Sequence, residues 1–137
     1  MSAALIVADY VLCPIELEEY AIDGVTAMIK TIVGVRPHHH PRLPFLGLAA
    51  SRFNSHSRRQ REAHQALLGT DGQHVIPARI STRSAIADAR SQGVPVWRWP
   101  KSAAREAAAE IEHAFGRLRD RMRTPVLSPD EVAHAET

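Results

Sequence analysis

The sequence predicts an α/β fold of three layers, a mostly parallel sheet with crossover helices on its faces. Three observations predict it. Short, nearly continuous apolar runs at Leu5–Cys13, Phe45–Ser51 and His74–Ile80 have the density of strands covered on both sides. The segments between them place apolar residues three and four apart, the spacing of helices laid on a sheet. After the third run, Ile80–Trp97 reads as strand end, short helix, glycine stop and crossing segment. Loops of that kind, at the carboxyl ends of parallel strands, are where open α/β sheets hold ligands.

The first strand, Leu5–Cys13, includes the apolar stretch from Ala3 to Ala8. That stretch has no positive flank and is too short to span a bilayer, so it reads as a strand ended by Pro14 rather than a signal. Glu16–Val33 predicts a helix, with Leu17, Tyr20, Ala21, Gly24, Val25, Met28 and Ile32 on one stripe. Glu16, Glu18 and Glu19 fall in its first turn, where the helix dipole favours acids. Val35–Pro44 reads as a solvated loop with three prolines and the triplet His38-His39-His40. Adjacent histidines cannot all turn to one metal in a regular element.

Ser57–Leu68 predicts a short helix after the second strand, and Gly69 and Gly72 the turn behind it. Arg58, Arg59 and Arg61 sit on its first turns, where cations oppose the dipole and do not serve helix stability. Pro77 marks the third strand as an edge or bulged strand. Ser81 and Thr82 read as the cap of a short helix carrying Ala85, Ile86 and Ala89. Gly93 stops that helix, and Pro95 keeps Val94, Val96 and Trp97 extended. Lys101–Met122 is the longest helix, with a stripe of Ala104, Ala107, Ala108, Ile111, Phe115, Leu118 and Met122. Residues 1–123 are expected to form one domain and 124–137 a tail.

Composition is that of an ordinary globular chain: 137 residues, 45% hydrophobic, 23% charged, net charge +2. So small a charge does not by itself imply nucleic acid. Its distribution says more, because Arg52, Arg58, Arg59 and Arg61 come together with no acid before Glu62. Cys13 is the single cysteine, so no intrachain disulfide forms and a reducing, cytoplasmic setting fits.

Three stretches, in order, resemble the C-terminal half of ParA-type partition ATPases, the ParA/MinD superfamily with a deviant Walker A loop. Ala8-Asp9-Tyr10-Val11-Leu12-Cys13-Pro14 with Glu19-Tyr20-Ala21 and Gly24 is similar to the strand and helix after that family's second switch segment. Leu46-Gly47-Leu48 leading to Ser51-Arg52-Phe53-Asn54 is similar to its next strand. Ile80, Asp88-Ala89 and Gly93-Val94-Pro95-Val96 match its strand, short helix and Gly-x-Pro-Val. Pro95-Val96-Trp97 followed by Lys101-Ser102-Ala103-Ala104-Arg105 is most similar to the plasmid branch. The resemblance covers roughly residues 3 to 122.

The resemblance implies a partial P-loop NTPase fold and a role in DNA segregation. It implies that Ser51, Arg52, Ile80 and Ser81, with Pro95 and Val96 nearby, form the base side of a nucleotide pocket. It implies non-specific DNA binding through Arg58, Arg59, Arg61 and Arg83, with Lys101 and Arg105 behind them; at one DNA-contacting arginine position of the family this chain has Ala85. The implied partners are DNA, a centromere-binding ParB-like protein, and either a second copy or a complementing N-terminal half, with no membrane. ATP and magnesium are the family's cofactors. None of the seven glycines precedes a lysine, so no Gly-Lys-Ser/Thr loop exists to cradle phosphates. The expectation is a chain without cofactor or metal of its own that does not hydrolyse ATP alone, located in the cytoplasm at the nucleoid. It is also expected to leave an apolar strand edge unpaired. A reading of another class stands beside it: a non-catalytic interaction fragment, or remnant, that modulates an intact partition ATPase.

Overall fold

The computed structural model describes residues 2–18 and 21–125. Strands β1 (Val11–Ile15), β2 (Phe45–Phe53) and β3 (Val75–Ser81) form a parallel sheet in the order β1-β2-β3. Helices α1 (Ser2–Val7), α2 (Ala21–Val35), α3 (Arg58–Asp71), α4 (Ser84–Ser91) and α5 (Ser102–Arg123) surround it. The predicted class is therefore the observed one. Parallel neighbours need a crossover between them, and α2 and α3 supply it. Ile32 of α2 and Leu67 of α3 pack on Phe45, Leu48, Ala50, Phe53 and Val75. A second cluster joins Ala85 and Ala89 of α4, Val96, and Ala104 and Ala107 of α5.

Two irregularities keep β2 aimed at the first core. In a regular strand, residues three apart point to opposite faces. Yet Phe45 and Leu48 share a cluster, and so do Ala50 and Phe53. Val11 pairs with Phe45 but Leu12 with Gly47, so Leu46 is an extra residue and the phase resets. Gly47 takes φ +123° there. Between Ala50 and Phe53 the register against β3 slips again, at Arg52, whose φ is 51°.

The structure corrects several sequence expectations. Leu5–Cys13 is not one strand, because Ser2–Val7 is helical and β1 starts only at Val11. A short apolar run without period cannot tell a strand from a buried helix turn, and the alanines of this one favour a helix. Pro14 lies inside β1 rather than ending it. That is tolerated because β1 pairs with β2 alone among the described residues, and an edge strand needs donors on one side only. The second helix begins at Ala21 and runs through Gly34 to Val35. Glu16 and Glu18 therefore precede it and are not held by its dipole; Leu17 is buried in the core from the loop. Glu19, Tyr20 and the side chains of 21–26 lie outside the described residues, as do 126–137 of the expected tail. Ile32 carries the helix stripe into the core.

The loop after α2 is less solvated than expected. Arg36 is buried and donates to the Leu43 carbonyl, and His40 Nε2 lies 3.1 Å from the Ala8 carbonyl. Gly69 falls within α3, and the turn is the 3-10 segment Gly72–His74. The residue capping α4 is Arg83, not Ser81 or Thr82, and no side chain bonds the helix end. Gly93 closes α4 as read: its φ is 67°, its N–H reaches Arg90 O, and Val94 N–H reaches Ala89 O. Val96–Arg98 is a 3-10 turn rather than extended chain. Pro77 lies on β3, an outer strand among the described residues, as its lack of N–H requires.

Candidate functional site

The carboxyl ends of all three strands open into one polar cleft of about 430 Å³. Glu16 and Glu18 enter from the end of β1, Arg52 and Asn54 from β2, and Ser81, Thr82 and Arg83 from β3. This is the position the topology reserves for ligands.

Two networks shape the cleft. Gln60, buried at the start of α3, holds one wall. Its side-chain carbonyl accepts from the Asn54 N–H at 2.7 Å, and its amide donates to Glu18 at 3.1 Å. Ser57 caps the same helix by accepting from Gln60 N–H at 3.3 Å. One side chain thus ties α3, the end of β2 and the loop after β1 together. Across the opening, Arg52 meets Glu16 at 3.2 Å, an exposed pair worth little to stability.

The other wall is stronger. Arg83 lies 2.9 Å from Glu110 and 3.2 Å from Glu106, both on α5. Glu110 also accepts the Ser81 N–H. Partial burial works against the Glu110 charge, but the Ser81 amide and the Arg83 guanidinium outweigh it and hold the carboxyl below its usual range. The clasp fixes the end of β3 and the start of α4 against the long helix.

The structure brings only part of the predicted base pocket together. Arg52 and Ser81 line the cleft. Ser51 and Ile80, one residue earlier on each strand, turn into an apolar crevice beneath α5 beside Phe115 and Leu118. Val96 is buried against α4 and α5, with Pro95 next to it, and neither lines the cleft. Of the predicted DNA-facing residues, Arg58, Arg59 and Arg61 are exposed on the first turn of α3. Arg58 reaches Glu62 at 2.7 Å one turn on, and Arg61 donates to the Ser55 carbonyl at the rim. Arg83 is half-buried in its clasp. Lys101 and Arg105 are exposed farther along, Lys101 lying 5.6 Å from the Trp99 ring.

Glu16, Glu18, Gln60, Glu106 and Glu110 were not singled out as site residues from sequence. The one available signal was that Gln60 follows Ser57 by three, the spacing of a capping box. Phe115, on the apolar stripe of the longest helix, is 59% exposed, and Trp97 is 68% exposed. No group of three His, Cys, Asp or Glu able to hold a metal occurs among the described residues, and none of their helices is long and apolar enough to cross a membrane.

Comparison with known proteins gives the cleft a context. No family model matches the chain. Over 111 residues, 81% of the chain, it is 44% identical to Protein IncC of Escherichia coli, covering 30% of that protein. Over 120 residues it is 28% identical to the chromosome partitioning protein ParA of Caulobacter vibrioides, covering 45% of it. Over 118 residues it is 28% identical to the chromosome-partitioning ATPase Soj of Thermus thermophilus, again covering 45%. The chain spans less than half the length of the curated relatives it matches.

Proposed function

We propose that this chain, which belongs with the ParA-type partition proteins and spans 30% to 45% of the length of its relatives, serves DNA segregation by holding DNA without regard to sequence. The observation that carries the reading is the arginine group Arg58, Arg59 and Arg61, exposed on the first turn of α3 beside the cleft. Cations there weaken the helix, so their placement asks for an anionic partner outside it. A DNA backbone fits that demand. Lys101 and Arg105 extend the contact, and Arg83 supports it by fixing the cleft rim. A centromere-binding ParB-like protein is the second partner, and the site of action is the nucleoid in the cytoplasm.

The cleft is read as the base side of a nucleotide site. Arg52 and Ser81 flank a planar group, with Gln60 and Thr82 beside them. ATP fits only in part. The Ser81 N–H and the Arg83 guanidinium already face Glu110, Arg52 already meets Glu16, and the 137 residues contain no Gly-Lys-Ser/Thr loop. A phosphate tail would find no cradle here, so the chain alone is expected to show no ATP turnover in a phosphate-release assay. Turnover that survives repeated purification would contradict this.

DNA retention at rising salt, with and without ATP, tests the DNA reading. Binding is expected to weaken with salt and to ignore ATP. Each phosphate contact contributes about 0.9 to the log–log salt slope, so Arg58→Ala with Arg59→Ala should lower that slope by about 2. No binding at low salt, or a slope unchanged in the double variant, sinks the proposal. Binding only with ATP would mean that nucleotide is held without a phosphate loop.

A further inference from the structure

The outer edge of β3 is closed to another strand but open to a small molecule. The Ser81 N–H goes to Glu110, and Arg121 donates to the carbonyls of Gln73 and Val75 at 2.8 and 2.9 Å. Pro77 has no N–H to offer. Proline and capped groups are how natural sheets close an edge. Between the caps, α3, β3 and α5 border an open groove of about 420 Å³, on the side of the sheet away from β1. His64 and Leu68 line it from α3, Ala78 and Arg79 beside Pro77 from β3, and Glu110 and His113 from α5.

Two groups in this groove lack a counterpart among the described residues. His64 is only 8% exposed, and its Nε2 is buried with no hydrogen-bond partner. A buried ring nitrogen left so costs free energy that a ligand could recover. Arg79 lies over the Phe53 ring, its guanidinium carbon 4.4 Å from the ring centre, and the His64 ring packs on the same phenyl at 5.6 Å. Stacking uses the face of a guanidinium and leaves its N–H edge to donate. No described carboxylate meets that edge. Glu110 does not, because its oxygens accept from the Ser81 N–H and from Arg83. The uncompensated charge at the groove is therefore positive, while Leu68, Pro77 and Ala78 give it apolar walls.

We propose that this groove binds a small carboxylate carried on a short apolar stem. The planar fork of Arg79 matches the two oxygens of a carboxylate, and the His64 imidazole stands beside it. The stem lies along Leu68, Pro77 and Ala78. A single negative charge suits the groove better than a phosphate dianion, because Glu110 shares the wall. Binding takes up a proton. Burial, then Arg79, lowers the basicity of His64, so the free ring is neutral at pH 7. An anion alongside favours the charged ring. The charged and titratable groups that line the groove with His64 are Arg79 of β3 and Glu110 and His113 of α5. The site goes beyond the DNA reading, because it uses none of Arg58, Arg59 and Arg61 and lies off the cleft.

Hexanoate and acetate are the probes, added to the full chain at constant ionic strength and read by the imidazole resonances in two-dimensional NMR. The chain has eight histidines, and His64→Gln identifies the set that belongs to residue 64. Hexanoate should move that set saturably. It should bind at least about tenfold more tightly than acetate, since each buried methylene adds up to about fourfold. Its affinity should rise as pH falls from about 7.5 to about 5.5, because the proton is taken up on binding. Arg79→Gln should abolish the shift. Arg58→Ala with Arg59→Ala, the variant that tests DNA binding, should leave it unchanged. His64 signals that stay still through the millimolar range of hexanoate overturn the proposal. So does acetate bound as tightly as hexanoate, an affinity flat in pH, or an equal shift in Arg79→Gln.

Discussion

Gly47→Ala is expected to lower stability by about 3 kcal/mol or more. Gly47 holds φ +123°, a region that L side chains rarely enter. A Cβ built there comes within 2.7 Å of the His74 carbonyl oxygen and 3.4 Å of its carbon. Neither neighbour is the loose end of a side chain. His74 ends the 3-10 turn that leads into β3, and Arg121 fastens that turn through the Gln73 carbonyl at 2.8 Å. Relief would therefore have to come from the bulge itself. Straightening the bulge would turn Phe45 or Leu48 out of the core, since both face it only because Leu46 is an extra residue. A thermal melt followed by circular dichroism should show a fall of roughly 10 °C or loss of the cooperative transition. Gly69→Ala is the control. Gly69 lies inside α3 with nothing within 4 Å of a built Cβ. Alanine there should raise stability by about 0.5–1 kcal/mol. A Gly47→Ala melt within a degree or two of the native one would show that the bulge is not required.

Removing the Glu110 carboxylate is the second large change. Its side chain is 20% exposed and that of Arg83 32%, so the pair is screened far less than a surface bridge. Glu110→Ala would leave a partly buried guanidinium short of a partner and the Ser81 N–H without an acceptor. About 2–3 kcal/mol of stability should be lost, and α4 with the cleft rim should exchange amide hydrogens faster. The pH dependence separates charge from packing. Glu110 is held below its usual range, so its native form binds a proton less readily than the unfolded chain does. The stabilisation is thus complete above the unfolded value of about 4.3 and disappears as pH falls through the lower native value. The gap between native protein and Glu110→Gln should be widest near neutrality and should close in acid. A gap independent of pH would show that the carboxylate acts by shape alone. His64 works in a higher window. Burial, then Arg79, lowers its basicity, so folding is progressively penalised as pH drops below about 6.5. His64→Phe should flatten that upper limb and leave the lower one to Glu110.

Much of the fold was legible before the structure, and its legibility followed periodicity. β2, β3, α3, α4 and α5 lie where their apolar spacing puts them, because each is long enough for its period to show or is punctuated by Gly or Pro. The start of the chain was misread for the converse reason. Ala3 to Cys13 carries apolar residues without a period, and only packing separates helix α1 from strand β1. Arg52 and Ser81 could be named as site residues because they end strands, and strand ends were readable. Gln60–Glu18 and Arg83–Glu110 could not, since their members stand 42 and 27 residues apart.

The sequence by itself determined the parallel α/β class, the absence of a phosphate loop from these residues and the arginine group at the start of α3. Those are properties of local composition and spacing, which the chain carries before it folds. The tertiary structure decided which side chains share the cleft, where β2 changes phase and which edge of the sheet is closed. Those depend on contacts between residues far apart in the chain, and a pair such as Ser81 and Glu110 acquires its meaning only when β3 and α5 are brought side by side.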